Sequence, residues 1–443
     1  MREAYLVTRT FKGGVRPGTA RGWTSNRAIS NVPVPPRVVL PLSQHVGSPA
    51  RPLVKVGDEV RAGAKVAEAD GFVSAAVHAS VSGRVVALGD FPHPNGRLMP
   101  AIVIESRGTD QEVTQVAAED LSAADPRLIR EAVREAGVVG LGGGAFPSHV
   151  KLTPPEGTAI DTVILNGAEC EPGLNGDRRL MAEEAEAVVD GLAIIMRAVG
   201  AERGLVGIER DKPDALARVR AAARRLPGIE VADLKVKYPQ GAEKLMIKAL
   251  VGREVPRGRL PASVGCVVHN VATSHAISEA VRRRRPLTAR VVTVAGSAAA
   301  SPGNFRVRLG TPVSHLIASA GGTRGSLGLV VLGGPMTGVA QACADVPVIK
   351  GTTGVTLVRE EDVRHREAGP CVRCSRCVDR CPIGLLPNDL VRFVQRERVS
   401  AAAEYGILDC IECGVCAYVC PAGIDHVRWM RLGKAAVSAG GKL

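Results

Sequence analysis

The sequence predicts a multidomain protein of mixed α/β and α+β character, with one alternating helix–strand domain, smaller β-rich units around it, and a metal-binding module at the end. Three observations predict this. The 443 residues exceed what a single hydrophobic core usually organises. The periodicity of apolar residues changes character several times along the chain, and eight of the eleven cysteines fall between Cys371 and Cys420. A hydrophobic content of 45% with 23% charged residues is that of a folded protein, which excludes wholesale disorder and fibrous architectures.

Residues 1–39 are rich in Gly, Pro and Arg with weak periodicity, and read as an irregular N-terminal arm. Residues 40–105 carry short apolar alternations, such as Leu53-Val54-Lys55-Val56 and Ala101-Ile102-Val103-Ile104, broken by Gly-Asp, Ala-Gly and Ser-Gly turns. That pattern is a small all-β unit. From 125 to 285 the pattern alternates: helices are expected at 128–136, 180–199, 215–226 and 244–251, and buried strands at 162–165 and 205–208. Strands alternating with helices imply a mainly parallel sheet. Residues 288–345 return to β character, with Arg290-Val291-Val292-Thr293-Val294 and Leu329-Val330-Val331-Leu332 between Gly-rich turns, and the Cys-rich module occupies 360–430.

Apolar runs such as 191–196 and 264–268 are far shorter than the ~20 residues a spanning helix needs. No basic, apolar, small-residue leader opens the chain, so it is expected to be cytosolic or held at a membrane through partners. The net charge of +13 admits nucleic acid, anionic lipid or acidic proteins as partners. No basic patch is interleaved with aromatics, and Arg282 to Arg285 reads as a solvated helix end, so no nucleic-acid partner is expected.

Cys371-x2-Cys374-x2-Cys377-x3-Cys381-Pro382 recurs as Cys410-x2-Cys413-x2-Cys416-x3-Cys420-Pro421. Three closely spaced thiolates bind three irons of a [4Fe-4S] cube, and in two-cluster bacterial ferredoxins the fourth ligand comes from the other run. Cys371, Cys374, Cys377 and Cys420 are therefore assigned to one cluster, and Cys410, Cys413, Cys416 and Cys381 to the second. Structural zinc also uses Cys-x2-Cys pairs, but the doubled 2, 2, 3 spacing with a following Pro fits it poorly. Cys170, Cys266 and Cys343 stand alone and read as structural, with Cys170 the one that could touch a cofactor.

Gly140-Leu141-Gly142-Gly143-Gly144-Ala145-Phe146-Pro147, with Lys151 shortly after, offers backbone N–H groups and a cation to a phosphate. A dinucleotide fingerprint on Gly142 and Gly144 is the second reading; it wants an acidic residue about 20 positions on, and Asp161 precedes the next strand instead of ending it.

These segments resemble known flavoproteins. Gly140 to Lys151 is similar to the flavin loop of the complex I flavoprotein subunit, and Asn166-Gly167-Ala168-Glu169-Cys170-Glu171-Pro172-Gly173 to its second flavin segment. Tyr238-Pro239-Gln240-Gly241-Ala242-Glu243-Lys244 and His269-Asn270-Val271-Ala272-Thr273 match the remaining two. Across nearly the whole chain, from Phe11-Lys12-Gly13-Gly14 through Pro41-Leu42-Ser43-Gln44-His45 to the twin Cys runs, the resemblance is to the RnfC family of the Rnf electron transport complex, an ion-translocating ferredoxin:NAD oxidoreductase. The turns at Val56-Gly57-Asp58-Glu59-Val60 and Ala79-Ser80-Val81-Ser82-Gly83 resemble the barrel-sandwich hybrid of biotinyl and lipoyl carriers. Asp70-Gly71-Phe72-Val73 stands where those carry a modified Lys, so no swinging arm is expected. The resemblance implies, in order, a lysine-free barrel-sandwich hybrid at 40–105, a Rossmann-like FMN/NADH-binding domain at 125–285, a soluble-ligand-binding β-grasp domain at 288–345, and a dicluster ferredoxin at 360–430.

The resemblance also implies roles. Gly140, Gly142, Gly143 and Lys151 would hold the FMN phosphate and ribityl chain, Asn166 and Glu169 would line the same pocket, Glu243 would be the catalytic-side residue facing the nicotinamide, and Asn270 would close the flavin site. Phe146 is the one match to the adenine-stacking Phe residues of complex I. Ala145, Ala168 and His149 depart from its Gly, Asp and Gly. The function implied is electron transfer between NAD(H), FMN and two [4Fe-4S] clusters, within a membrane complex that couples ferredoxin and NAD to ion translocation, on the cytoplasmic face. Two further readings stand beside it: a soluble NADH-dependent reductase serving a cobalamin enzyme or selenoenzyme, and a flavin-free dicluster carrier.

Overall fold

The computed structural model describes residues 9–18, 21–108, 124–364 and 367–440. At its centre a four-stranded sheet runs in the order Ile229–Leu234, Arg203–Glu209, Thr162–Gly167, Cys266–Asn270, with every pairing parallel. Val163, Ile164 and Leu165 are wholly buried because helices cover both faces of the sheet. On one face, Ala185–Val199 packs against Val271–Arg283. Gly191 permits that approach, since a Cβ there would run into the Ser274 carbonyl. Glu243–Val251 packs on the other face, around Met246, Ile247 and Leu250.

The helix expected over 180–199 is two helices, Gly176–Glu183 and Ala185–Val199. The break falls at Glu184, at φ −129° and ψ 37°. Its carboxylate is held 2.6 Å from His275 Nε2 and pairs with Arg306, which ties the corner to two other elements.

Two antiparallel sheets form the barrel sandwich: Arg37–Pro41, Leu98–Ser106, Gly83–Pro92, Glu59–Val60 in one, and Arg51–Pro52, Lys65–Glu68, Val77–His78 in the other. Their interior is continuous with that of the central domain, since Val38, Leu40 and Ile102 belong to the same buried cluster as Val163, Leu192 and Ile277. Lys350, 1% exposed, donates from Nζ to the carbonyls of Ala76 and Gly137, each at 2.7 Å, and so joins the β unit to the central domain.

The β-grasp unit is a six-stranded sheet in the order Ile29–Asn31, Gly303–Arg308, Ala289–Ala295, Gly354–Arg359, Leu327–Leu332, Val339–Gln341. It recruits a strand from the arm that reads as irregular in the sequence, and one beyond residue 345. The arm is ordered there by Asn304, whose amide donates to the carbonyls of Thr24 (2.8 Å) and Arg27 (2.9 Å). The Cys-rich module is built from short helices, among them Arg376–Arg380, Pro387–Gln395, Val415–Tyr418 and His426–Ser438, around Leu390, Val394, Ile407 and Met430. Among the described residues, no helix is long and apolar enough to cross a membrane.

Candidate functional site

Thr162–Gly167 and Cys266–Asn270 are neighbours in register, so Asn166 and Asn270 lie side by side at the carboxyl edge of the sheet. That edge is where open α/β sheets take ligands. Asn166 donates to the Gly241 carbonyl at 2.7 Å, fixing the 238–244 turn beside it. Asn270 caps the following helix by accepting from Ala272 N at 2.8 Å, and donates to Asp177 at 2.6 Å.

The glycine loop arches over this pair. Its neck closes through Gly140 N to Phe146 O (2.8 Å) and Ala145 N to Gly140 O (3.0 Å). Its flank is anchored by Leu141 N donating to Thr273 Oγ1 at 2.8 Å, while the buried Arg290 guanidinium donates to the Leu141 carbonyl at 3.0 Å. The tip, Gly142 to Gly144, is left exposed. A Cβ on Gly142 would sit 3.2 Å from the Asn270 side chain, and Gly143 has φ +102°, so the tip is a cradle that side chains would fill. Ala145, where complex I has Gly, takes φ +46°.

Glu169 lines the same cavity as the tip. Both its oxygens accept from the helix Gly176–Glu183, from Asp177 N and Arg178 N at 2.8 Å each. Loss of solvation, with the nearby Asp177 carboxylate, pushes Glu169 up to about 8 and raises Asp177 as well. Two acids and the buried Arg290, itself lowered by burial to about 10, thus share the floor.

Gly142, Gly143, Asn166, Glu169, Glu243 and Asn270 all line one cavity of about 1100 Å³. That is ample for a flavin with a second ligand over it. Gly140, Phe146 and Lys151 do not line it. Gly140 and Phe146 form the neck of the loop, and Lys151 turns to Glu243 Oε1 (2.5 Å) and the Val268 carbonyl (3.0 Å). Asp161, the acidic residue weighed for a ribose, is at the opposite end of its strand, 2.8 Å from Arg253. Glu171 lines the cavity and was missed in the sequence. Its carboxylate accepts from Met336 N at 3.0 Å and from the Thr337 hydroxyl, bonds to a β-grasp loop more than 160 residues away. The only local signal was its place two residues after Glu169. The barrel sandwich contributes a further wall at Ser43, Gln44 and His45.

The cavity also reaches Ile411, Glu412 and Cys413 of the Cys-rich module. Cys381, Cys410, Cys413 and Cys416 together border a second, small cavity, which is the grouping assigned to one cluster. Burial raises the thiols of Cys410, Cys413 and Cys416, Cys413 to about 11, so ligation there must displace protons. At the other run, Gly369 N donates to the Ala422 carbonyl at 2.9 Å, which brings the segment before Cys371 to the segment after Cys420. Among the described residues no three His, Cys, Asp or Glu side chains converge on a single-ion centre. Four cysteines that border one small cavity suit a cube, in which each would bind a different iron. The C-terminal helix, which the sequence offered as either a dock or a cap, packs Met430 into the module's core and ties Arg431 (2.9 Å) and Lys434 (2.6 Å) to Glu412.

Comparison with known proteins bears on the whole chain. Residues 9–109 match the family described as the RnfC barrel sandwich hybrid domain, 133–279 the Nuo51 FMN-binding domain, 291–340 the SLBB domain, and 370–424 the 4Fe-4S dicluster domain. The chain is 43% identical over 408 residues to the RnfC-type component of the proton-translocating ferredoxin:NAD(+) oxidoreductase complex of Clostridium ljungdahlii, covering 91% of this chain and 88% of the relative. This chain belongs to the RnfC family. The RnfC-type component of the Na(+)-translocating complex of Acetobacterium woodii is 42% identical over 388 residues, 87% of this chain and 88% of that one. An NAD+-reducing [NiFe]-hydrogenase in its H2-reduced state shares the fold, with a TM-score of 0.54 at 21% identity, over 73% of this chain and 65% of its own.

Proposed function

We propose that this RnfC chain is the NAD(H)-facing electron-transfer component of an ion-translocating ferredoxin:NAD(+) oxidoreductase complex, carrying FMN and two [4Fe-4S] clusters. It would sit peripherally, on the cytoplasmic face of the membrane, against the other subunits of the complex. One observation carries the reading: the glycine cradle, Glu243 and Cys413 all line a single cavity. Bound flavin exchanges a hydride for single electrons, and iron-sulfur cubes accept those singly.

The residues divide the work. The exposed backbone of Gly142 and Gly143 receives the phosphate and ribityl chain, with Asn270 behind it. Lys151, held at Glu243, supplies positive charge at the edge of the cradle. Glu169 and Asp177, raised towards neutrality, hold or release a proton at the floor. Glu243 and Glu171 face the part of the cavity left for the nicotinamide nucleotide. Cys381, Cys410, Cys413 and Cys416 hold the cluster nearer the cavity, and Cys371, Cys374, Cys377 and Cys420 the farther one.

The test is an absorbance titration of anaerobically purified protein. NADH is expected to bleach a flavin band and then the cluster shoulder. A cluster shoulder with no flavin band, or a flavin band that NADH leaves untouched, overturns the reading.

A further inference from the structure

The arm carries a motif, Phe11-Lys12-Gly13-Gly14, that the cofactor sites do not use. Residues 9–15 run between the cavity wall and the Cys-rich module and bond to both. Arg9 N donates to the Ala249 carbonyl at 2.9 Å, and Lys235 N to the Arg9 carbonyl at 3.2 Å. The Lys237 ammonium donates to the Phe11 carbonyl at 2.7 Å and lies 4.5 Å from the centre of the Phe11 ring. Val15 and Tyr238 exchange both backbone bonds, at 2.9 and 2.8 Å, while Gly14 N donates to the Arg380 carbonyl at 2.8 Å.

The two glycines fill the space between the walls with backbone alone. Both have left-handed backbones, Gly13 at φ +75° and Gly14 at φ +71°. A Cβ on Gly13 would lie 2.7 Å from the Cys381 carbonyl oxygen, and one on Gly14 would lie 2.5 Å from that of Tyr238. These neighbours are backbone, which yields only if one wall moves away from the other. Tyr238 completes the link: it lines the large cavity, and its hydroxyl donates to the Cys413 carbonyl at 2.8 Å. Val15, Tyr238, Cys170 and Val415 form a small apolar plug between the cavity and the thiol cage.

We propose that residues 9–15 are a positioning strap: Gly13 and Gly14 set the separation between Tyr238 in the cavity wall and the cage of Cys381, Cys410, Cys413 and Cys416, and through it the rate of electron passage. The inference rests on the proposed function. In the balanced step one NADH is oxidised to NAD+, each of the two clusters takes one electron, and the proton of the hydride returns to solvent.

The experiment compares Gly13→Ala, Gly14→Ala, Tyr238→Phe and a control, Gly18→Ala, which meets nothing within 4 Å. Stopped-flow absorbance follows flavin bleaching and cluster reduction separately, and amide hydrogen exchange follows Gly14 and Val15. In the Gly13 and Gly14 variants, bleaching by NADH keeps its wild-type rate while cluster reduction slows severalfold, because electron tunnelling falls off exponentially with the separation of the groups. Tyr238→Phe slows cluster reduction with Gly14 still protected, and Gly18→Ala changes neither. Wild-type cluster reduction in both glycine variants overturns the strap, as do unprotected Gly14 and Val15 amides in the wild type. If the glycine variants lose iron or fail to fold, Tyr238→Phe decides, and a wild-type cluster rate in it overturns the strap. Failure of NADH to bleach the wild-type flavin defeats the proposed function instead, and exchange alone then decides the strap.

Discussion

The Lys151 ammonium lies 2.5 Å from a Glu243 carboxylate oxygen, across 92 residues of sequence, at the margin of the large cavity. Both side chains are about one-third exposed, so the pair adds little to stability, under about 1 kcal/mol. Its value is to hold a cation beside the glycine cradle. Lys151→Met is expected to weaken flavin retention only severalfold, because the ammonium lies outside the cavity wall and acts on the cradle by charge alone, worth about 1 kcal/mol or less at this exposure, with the denaturation midpoint nearly unchanged. Glu243→Gln should keep its flavin and react poorly with NADH. Flavin-to-protein ratios after gel filtration, and NADH bleaching rates, separate the two.

Cys381→Ser tests the crossover between the two runs. Iron should fall from about eight to about four atoms per chain, with one cluster signal left intact. Iron analysis and electron paramagnetic resonance of the reduced protein read this out. Loss of both signals, or of neither, would refute the pairing of Cys381 with Cys410, Cys413 and Cys416.

Lys350→Met should destabilise the junction of the β unit with the central domain. Burial has already lowered this amine to about 7, so its bonds matter more than its charge. Without it the carbonyls of Ala76 and Gly137 are buried with no donor, at about 1–3 kcal/mol each. The urea midpoint is expected to drop, with faster amide exchange around residues 76 and 137.

Three histidines set an acid limit. Burial lowers His45 to about 4 and His78 and His269 to about 3; the Lys350 charge adds to the first two, and the Lys151 charge to the third. Each is neutral when folded and takes up a proton on unfolding below about 6.5. Stability is therefore full above that pH and is lost as pH falls through 6 and 5 towards about 3, at up to about 1.4 kcal/mol per pH unit for each histidine. His78→Gln should make the slope of denaturation midpoint against pH shallower by one such increment.

The dicluster module was legible because its chemistry is local: three thiolates on one tight loop must be close in sequence. The parallel sheet was legible because strands buried on both faces and amphipathic helices write their period directly. Glu171 was not legible as a site residue, since its partners Met336 and Thr337 come from another domain. Neither was the break at Glu184, because the periodicity of 180–199 continues across it and only His275 and Arg306 fix the corner. Ile29–Asn31 looked irregular because its order comes from Asn304, far along the chain.

What the amino-acid sequence determined by itself was the set of parts: two runs of closely spaced cysteines, a glycine loop followed by a lysine, and a β unit without a carrier lysine. Each is specified by residue types at short spacing, so the nearby chain suffices to encode it. Tertiary structure alone decided how the parts meet. It turned Lys151 to Glu243, set Asn166 beside Asn270, and placed Tyr238 between the large cavity and Cys413. Those relationships depend on strand pairing and side-chain bonds between segments more than 90 residues apart, and periodicity carries no record of them.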